Sequence, residues 1–380
     1  MPLKSYLLTP GPTPVPERIA LAMAAPIPHH RSPIFEKQFE ECRVGLQWIY
    51  GTAQDVLVFA SSGTGVLEAA LVNFCSRGDE IIYVNGGKFG ERWGKLAKAF
   101  DLVAHELRVP WGEAVTVEAV AAALDQHPRA VAVCVQASES STGVAHPVKA
   151  LAALTAKHEA ILIVDAVSAL GAIPLPMDEW GIDVLLTGSQ KALMLPPGLA
   201  FLAASPKAWK RNPTADLPRF YFDARVERDT QRMNQTAWTP AISLVIGLCE
   251  VLRWLRAETL PVVYALHERL AKASRAGMQA LGLELFAKAP VASLTTVRSP
   301  VDSEKLVDLL SDRYGVRIVG GQDEVKGKIF RLAHLGYFDD FDIITAVAAI
   351  ERALADLGYK RKPFGTGVGA AMDSMAAQAT

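Results

Sequence analysis

No stretch of the 380-residue chain approaches the roughly 18 uninterrupted apolar residues that a membrane-spanning helix needs. Neither sign of charge is in surplus. The 39 Lys and Arg against 40 Asp and Glu leave a net charge of −1, with no basic half and no block of like charges. That balance excludes a nucleic-acid footprint or a polybasic membrane patch. Cysteine is scarce: there are four, Cys42, Cys75, Cys134 and Cys249, none in a C-x-x-C pair and three in apolar runs. They read as buried small hydrophobes in a reducing compartment, not as metal ligands or disulfide partners. The opening M-P-L-K-S-Y-L-L-T-P is too short in its apolar part, and too soon proline-rich, for a secretory signal. The glycosylation sequon at Asn234-Gln235-Thr236 is therefore expected to be a chance match, and the protein to be cytoplasmic.

What the sequence has in quantity is length and aliphatic content. One hydrophobic core stops growing near ~250–300 residues, so 380 residues imply two domains, or one with an appendage. Hydrophobic residues make up 50% of the chain, spread as Ala, Val and Leu, which suits a buried parallel sheet and a large subunit interface. Thr9 to Pro16 (T-P-G-P-T-P-V-P) holds four prolines in eight residues and predicts an extended arm within residues 1–20. From Val56 the chain alternates apolar runs with helical periods. The strand candidates are Val56–Ala60, Glu80–Val84, Ala130–Val135, Ile161–Asp165, Asp183–Thr187 and Leu199–Ala203. The proline- and charge-rich stretch Pro206–Arg232 interrupts this rhythm, and long helices are expected from about Ala241 to Arg256 and Pro261 to Ala280. Strands at Leu294–Val297 and Ile329–Ala333, with helices at Ser303–Tyr314 and Asp342–Leu357, predict a smaller α+β domain over residues 256–362, after a large domain over 21–255. The Gly/Ala-rich tail, residues 363–380, is expected to be flexible.

Ligands of an open parallel sheet bind beyond the carboxyl ends of its strands, and polar residues collect there. Ser61-Ser62-Gly63-Thr64-Gly65 follows the first strand and runs into a helix, so it is either an ordinary N-cap or a phosphate site. It matches neither G-x-G-x-x-G nor a Walker A loop. Asp165 ends a wholly apolar strand, where a carboxylate is costly unless paired. It is a cap, an ion-pair member, or the partner of a cationic ring nitrogen. Lys191, in T-G-S-Q-K-A, is a snorkelling surface lysine or a nucleophilic amine. The 26 residues between the two cover one crossover and one strand, so both can converge on one crevice.

Seven segments in order over nearly the whole chain carry a resemblance. They are Leu7–Pro16, Ser61–Asn73, Gln136–Val144, Val164–Gly171, Thr187–Gly198, Trp238–Ser243 and Phe330–Gly336. Together they resemble the class V, fold-type I pyridoxal-phosphate (PLP) aminotransferases, particularly the alanine–glyoxylate and serine–pyruvate group. The resemblance implies an α/β large domain with a mostly parallel seven-stranded sheet between helices, and a smaller C-terminal domain. It implies PLP as cofactor and a homodimer with shared active sites. Lys191 would carry the cofactor aldehyde and shuttle the proton, Asp165 would pair with the pyridinium nitrogen, and Val167 and Phe89 would pack on the two ring faces. The family often has Trp where Phe89 stands. Ser140 would bond the ring hydroxyl. Thr64, Gly65, Val66 and Gln190 would hold the phosphate, with Thr239 reaching in from the neighbouring subunit. Arg331 would clamp the substrate carboxylate, and the Gly11 backbone would lie beside the substrate.

His29-His30-Arg31 lacks the carboxylate partners of a metal site, and no metal is expected; Arg31 is a candidate for the substrate mouth. His334 reads as structural, and Trp93, Trp111 and Trp180 as packing residues. A cysteine desulfurase would need a reactive cysteine on a mobile loop, which Cys249, mid-helix, does not provide. The implied reaction moves the amino group of alanine or serine to glyoxylate or pyruvate. Other donors (aspartate, 2-aminoethylphosphonate) and a catalytically silent scaffold subunit are the alternatives.

Overall fold

The computed structural model describes residues 4–378. Seven strands form its central sheet: β1 (Val56–Ser61), β2 (Glu80–Asn85), β3 (Val103–Arg108), β4 (Ala130–Gln136), β5 (Ile161–Asp165), β6 (Val184–Gly188) and β7 (Gly198–Ala204). Their spatial order is β1-β7-β6-β5-β4-β2-β3. Every neighbouring pair is parallel except the two made by β7, with β1 and with β6. β5 (I-L-I-V-D) and β6 (V-L-L-T-G) are buried throughout, as a sheet covered on both faces requires. β3 (V-A-H-E-L-R) sits at the edge and is only partly covered, so it has no continuous apolar run to mark it in the sequence.

Alternation along β1 divides the core. Val56 and Val58 join a cluster with Phe35, Phe39 and Leu46 of the helix Pro33–Tyr50. Leu57 and Phe59 face the other way, into a cluster with Val66, Leu71, Phe74 and Trp93. At ~25 cal/mol per Å² of buried apolar surface, these two layers dominate the stability of this half.

The long helices Ile242–Glu258 and Leu260–Ala280 meet at Thr259, whose φ of +70° breaks the helical path. Beyond them lies a second, antiparallel sheet of β8 (Leu294–Arg298), β9 (Val319–Gly320) and β10 (Ile329–Ala333), with β10 in the middle. It has its own core, including Leu270, Leu306, Phe330 and Val347. Leu8 belongs to that core too. The expected N-terminal arm starts as a two-residue strand, Tyr6–Leu7, paired in parallel with Val316–Arg317, and its last part opens the helix Glu17–Met23. The segment between them, residues 8–16, has no regular structure.

The tail corrects the expectation of flexibility. Thr366–Ala376 is a helix packed along Leu260–Ala280, with Ala371 and Met375 buried. A Cβ at Gly277 would lie 3.1 Å from the Gly367 carbonyl, so glycine at this crossing lets the two backbones approach closely. Small residues that resemble low complexity in the sequence serve here as a helix contact. Residues 379 and 380, and 1 to 3 at the other end, lie outside the described residues.

Candidate active site

The carboxyl ends of β1, β5 and β6 face one cleft. β5 delivers Asp165, the turn after β6 delivers Gln190 and Lys191, and the helix Gly63–Phe74 begins beside them with Ser62 and Thr64. Phe89, Ser140 and Val167 complete the wall. Asp165 Oδ1 accepts from the Val167 backbone N–H at 2.9 Å, and among the described residues the carboxylate forms no salt bridge. Burial is the main force on it and raises it from the usual 3.8 to about 6; nearby Glu139 pushes the same way. Lys191 is pushed down from 10.5 to about 8, first by burial and further by Arg331 and Arg92, against the pull of Asp165.

The N-terminal segment closes over Lys191. Its Nζ donates to the Pro10 carbonyl, Thr13 Oγ1 donates to the Lys191 carbonyl at 2.8 Å, and the Thr13 N–H donates to the Gln190 carbonyl at 3.2 Å. Gly11 has φ +135°, and a Cβ there would collide with the Lys191 side chain, so both backbone and space demand glycine.

Arg331 lies on β10 in the second sheet and is 5% exposed. Nε and Nη2 donate to the Gly320 carbonyl at 3.0 and 2.8 Å, and Nη1 donates to the Ser140 carbonyl at 2.8 Å. A guanidinium has five N–H groups, so one is left on each Nη. Burial lowers this arginine from 12.5 to about 10, which still leaves it charged at neutral pH.

Two residues of this neighbourhood escape a reading of the sequence. Arg92 lines the cleft, donates to Thr64 Oγ1 at 2.9 Å and lies 4.9 Å over the Phe89 ring. Its signal was the spacing: three residues after Phe89, on the first turn of the helix Gly90–Ala99. Glu139, fully buried, accepts from the Gly90 N–H at 2.9 Å, the Phe89 N–H at 3.2 Å, and Ser141 through both N–H (3.1 Å) and Oγ (2.6 Å). Burial raises its pKa while these donors pull it down. A glutamate among serines gives no hint of such burial.

Other expected residues stand apart from the cleft. Gly65 N–H is bonded to the Ser62 carbonyl at 3.0 Å, and the Val66 side chain is in the core. Thr239 is exposed, in a separate recess with Tyr221 and Trp238. Arg31 is exposed and donates to Gln235 Oε1 at 2.6 Å. His334 is buried, with Nε2 bonded to Thr295 Oγ1 at 3.0 Å and no bond to Arg331. Trp93 is buried in the core, whereas Trp111 lines a separate polar cavity with Lys88 and Asp323. Glu80, His105 and His127 gather around the opposite, amino-terminal ends of β2 and β3, away from this cleft.

Comparison with known proteins places this geometry. The model of the family described as aminotransferase class-V matches residues 5–333. A relative in Synechococcus sp. strain PCC 6716, named as a soluble hydrogenase small subunit, is 42% identical over 97% of each chain. An L-aspartate–glyoxylate aminotransferase of Paracoccus denitrificans is 36% identical, covering 98% of this chain and 96% of its own. A serine–glyoxylate aminotransferase of Methylorubrum extorquens is 34% identical, covering 97% and 96%. Among solved structures, the ureidoglycine–glyoxylate aminotransferase of Bacillus subtilis superposes with a TM-score of 0.93 at 26% identity, over 99% of both chains. The strand order, the cleft at the strand ends and the family match across most of the sequence agree, and the chain belongs to the class V aminotransferases, a family of PLP-dependent transaminases.

Proposed function

We propose that this enzyme moves the amino group of a small amino acid, alanine or serine, to glyoxylate or pyruvate, with PLP held in the cleft between Asp165 and Lys191. The observation that carries the reading is the buried Asp165 carboxylate, which has no cation of its own and faces the same cleft as a lysine whose pKa is pushed down to about 8. A buried carboxylate without a partner is stabilised by a ligand that brings positive charge, and a pyridinium nitrogen does so.

The rest of the cleft fits the same group. The helix Gly63–Phe74 has no side-chain cap on its first amides, which leaves a positive helix end for a phosphate. Thr64 stands in its first turn, and Gln190 Oε1 beside it is buried without a hydrogen-bond partner. Phe89 and Val167 offer apolar contact within the lining, and Ser140 a hydroxyl.

When bound, PLP supplies an electron sink for the carbanion left after the substrate Cα loses its proton. The chain supplies everything else. Lys191, about half freed of its proton near pH 8, would hold the cofactor through Nζ and carry the proton to and from the substrate Cα. Asp165 would pair with the ring nitrogen and favour its protonated form. Arg331 keeps one free N–H on each Nη for the substrate carboxylate, a bidentate arrangement fixed by the Ser140 and Gly320 carbonyls behind it. The Thr9–Pro16 segment, tied down at Thr13, keeps water from Lys191.

We further propose a cytoplasmic homodimer. Thr239 is exposed in this chain, and beside it Phe220, 76% exposed, lies 4.9 Å from Trp238, so an apolar patch awaits a cover next to a residue expected at the neighbour's phosphate site. The four cysteines carry no disulfide, as in a reducing compartment. Among the described residues no helix is long and apolar enough to cross a membrane. A monomer in sedimentation equilibrium that stays fully active would refute the dimer.

The silent-scaffold alternative draws on the name of the Synechococcus relative, but it gives no reason to keep Lys191, Asp165 and Arg331 around one cleft. A half-reaction screen decides. The cofactor-loaded enzyme is mixed with single amino acids and the visible absorbance followed. Rapid bleaching by alanine or serine, reversed by glyoxylate, supports the proposal. Preference for aspartate overturns the donor, and no bleaching by any amino acid overturns the transaminase reading of the cleft.

A further inference from the structure

Cys42 and Cys249 lie on different helices, Pro33–Tyr50 and Ile242–Glu258, and are 207 residues apart in sequence. Both are buried, and their sulfurs are 2.6 Å apart, against about 2.05 Å in a bonded pair. The thiol protons have other acceptors: Cys249 Sγ donates to the Gln38 carbonyl at 3.0 Å and Cys42 Sγ to the Val245 carbonyl at 3.4 Å. The sulfurs therefore meet without needing to share a hydrogen.

The helix crossing is built to hold them there. One turn on, a Cβ at Gly45 would stand 2.8 Å from Leu252 Cδ1, so the glycine sets how closely the helices approach. On the outer side, Arg253 bonds Glu41 and Glu250, and Arg256 donates to the Val44 carbonyl at 3.0 Å. The Arg253–Glu41 pair and the Arg256–Val44 bond tie the two helices together within a few residues of the thiols, while Glu250 holds Arg253 from its own helix.

We propose that Cys42 and Cys249 form a covalent cross-link, closed by a hydroperoxide. One sulfur, as thiolate, attacks the peroxide: an S–O bond forms, the O–O bond breaks, and the leaving oxygen takes a proton to become water or an alcohol. The second sulfur then attacks the first: the S–S bond forms, the S–O bond breaks, and water leaves. Two thiols are oxidised by two electrons in total, and one hydroperoxide is reduced. Burial holds the Cys42 thiol well above its ordinary pKa, so closure follows a transient parting of the helices and is slow beside that of an exposed thiolate. A bridge closing so long a loop stabilises the fold by restricting the unfolded chain.

The test treats the holoenzyme with hydrogen peroxide, denatures it, alkylates free thiols and maps peptides by mass spectrometry. The expected result is loss of two of the four alkylatable thiols, a peptide pair joined through Cys42 and Cys249, and a Tm a few degrees higher, all reversed by dithiothreitol. Cys249→Ala should keep its three remaining thiols and show no Tm rise. Four free thiols after prolonged oxidation, oxygen adducts without a cross-link, or a bridge through Cys75 or Cys134 would each overturn the proposal. The wild-type peptide map stands alone if the variant does not fold.

Discussion

Arg331 and Ser140 join the two halves of the chain, the arginine Nη1 donating to the serine carbonyl at 2.8 Å from a strand of the second sheet. The contact fixes the guanidinium beside the loop after β4, and any shift of the second sheet moves the expected substrate anchor with it. Arg331→Lys removes the planar fork and leaves the Ser140 and Gly320 carbonyls short of donors. The expected outcome is a fall in kcat/KM of about 10²–10³, mostly through KM, with cofactor absorbance unchanged. Steady-state kinetics beside a cofactor titration check it.

Asp165 and Lys191 make the cofactor-free protein less stable near neutrality. The Asp165 carboxyl is raised from 3.8 to about 6, so its cost is fully present above pH 6 and disappears as pH falls below 3.8. The Lys191 amine is lowered from 10.5 to about 8, so its cost is fully present below pH 8 and fades as pH rises towards 10.5. Both costs act together between pH 6 and 8. Asp165→Asn should therefore raise the stability of cofactor-free protein at pH 7 by about 1–3 kcal/mol while abolishing most activity. Thermal melts at pH 4 and pH 7 test the sign: a variant destabilised at pH 7 would refute it.

The lowered Lys191 pKa also sets a rate. With a value of about 8, roughly a tenth of the amines are neutral at pH 7. The rate of PLP uptake by stripped enzyme should climb with pH and level off above 8. A rate still climbing at pH 10 would mean an ordinary lysine.

Gly11→Ala places a methyl group against Lys191 at a φ of +135°. The variant should fold, since the strand Tyr6–Leu7 pairs upstream of it, yet lose cofactor affinity by tenfold or more. Equilibrium titration with PLP measures this.

Glu139→Gln tests the buried carboxylate. All four of its partner groups are donors, so the amide nitrogen must face an N–H. A loss of about 2–4 kcal/mol is expected, read by denaturant unfolding, together with a weaker KM as the Phe89 and Ser140 loops loosen.

The chain disclosed its centre more readily than its supports. Asp165 and Lys191 stand out because a charge after an apolar strand has few explanations, and because strand ends are where open sheets bind ligands. Arg331 in F-R-L-A carries no such mark: its place beside Ser140 follows from packing the second sheet against the end of the first, and resemblance alone singled it out. Glu139 looks like an ordinary surface acid until four donors are seen around it. The β3 strand is hidden because edge strands need not be apolar, and the last helix because glycine and alanine serve flexible tails and tight crossings alike. The Cys42–Cys249 contact has no local pattern at all, as its two sides lie 207 residues apart.

The pairing of Tyr6–Leu7 with Val316–Arg317 has a temporal meaning. Tyr6 and Leu7 must wait for a partner made some 310 positions later, which at ~5–20 residues per second is about 15–60 s of synthesis. Until then Pro10 and Gly11 have no anchor from that strand to hold them over Lys191. The large sheet can be complete while the cleft is still open on the ribosome. Protease cleavage near Thr9 in ribosome-bound chains arrested before residue 316, and protection after it, is the pattern this order of events requires. A segment made before the large sheet is thus among the last to take its place.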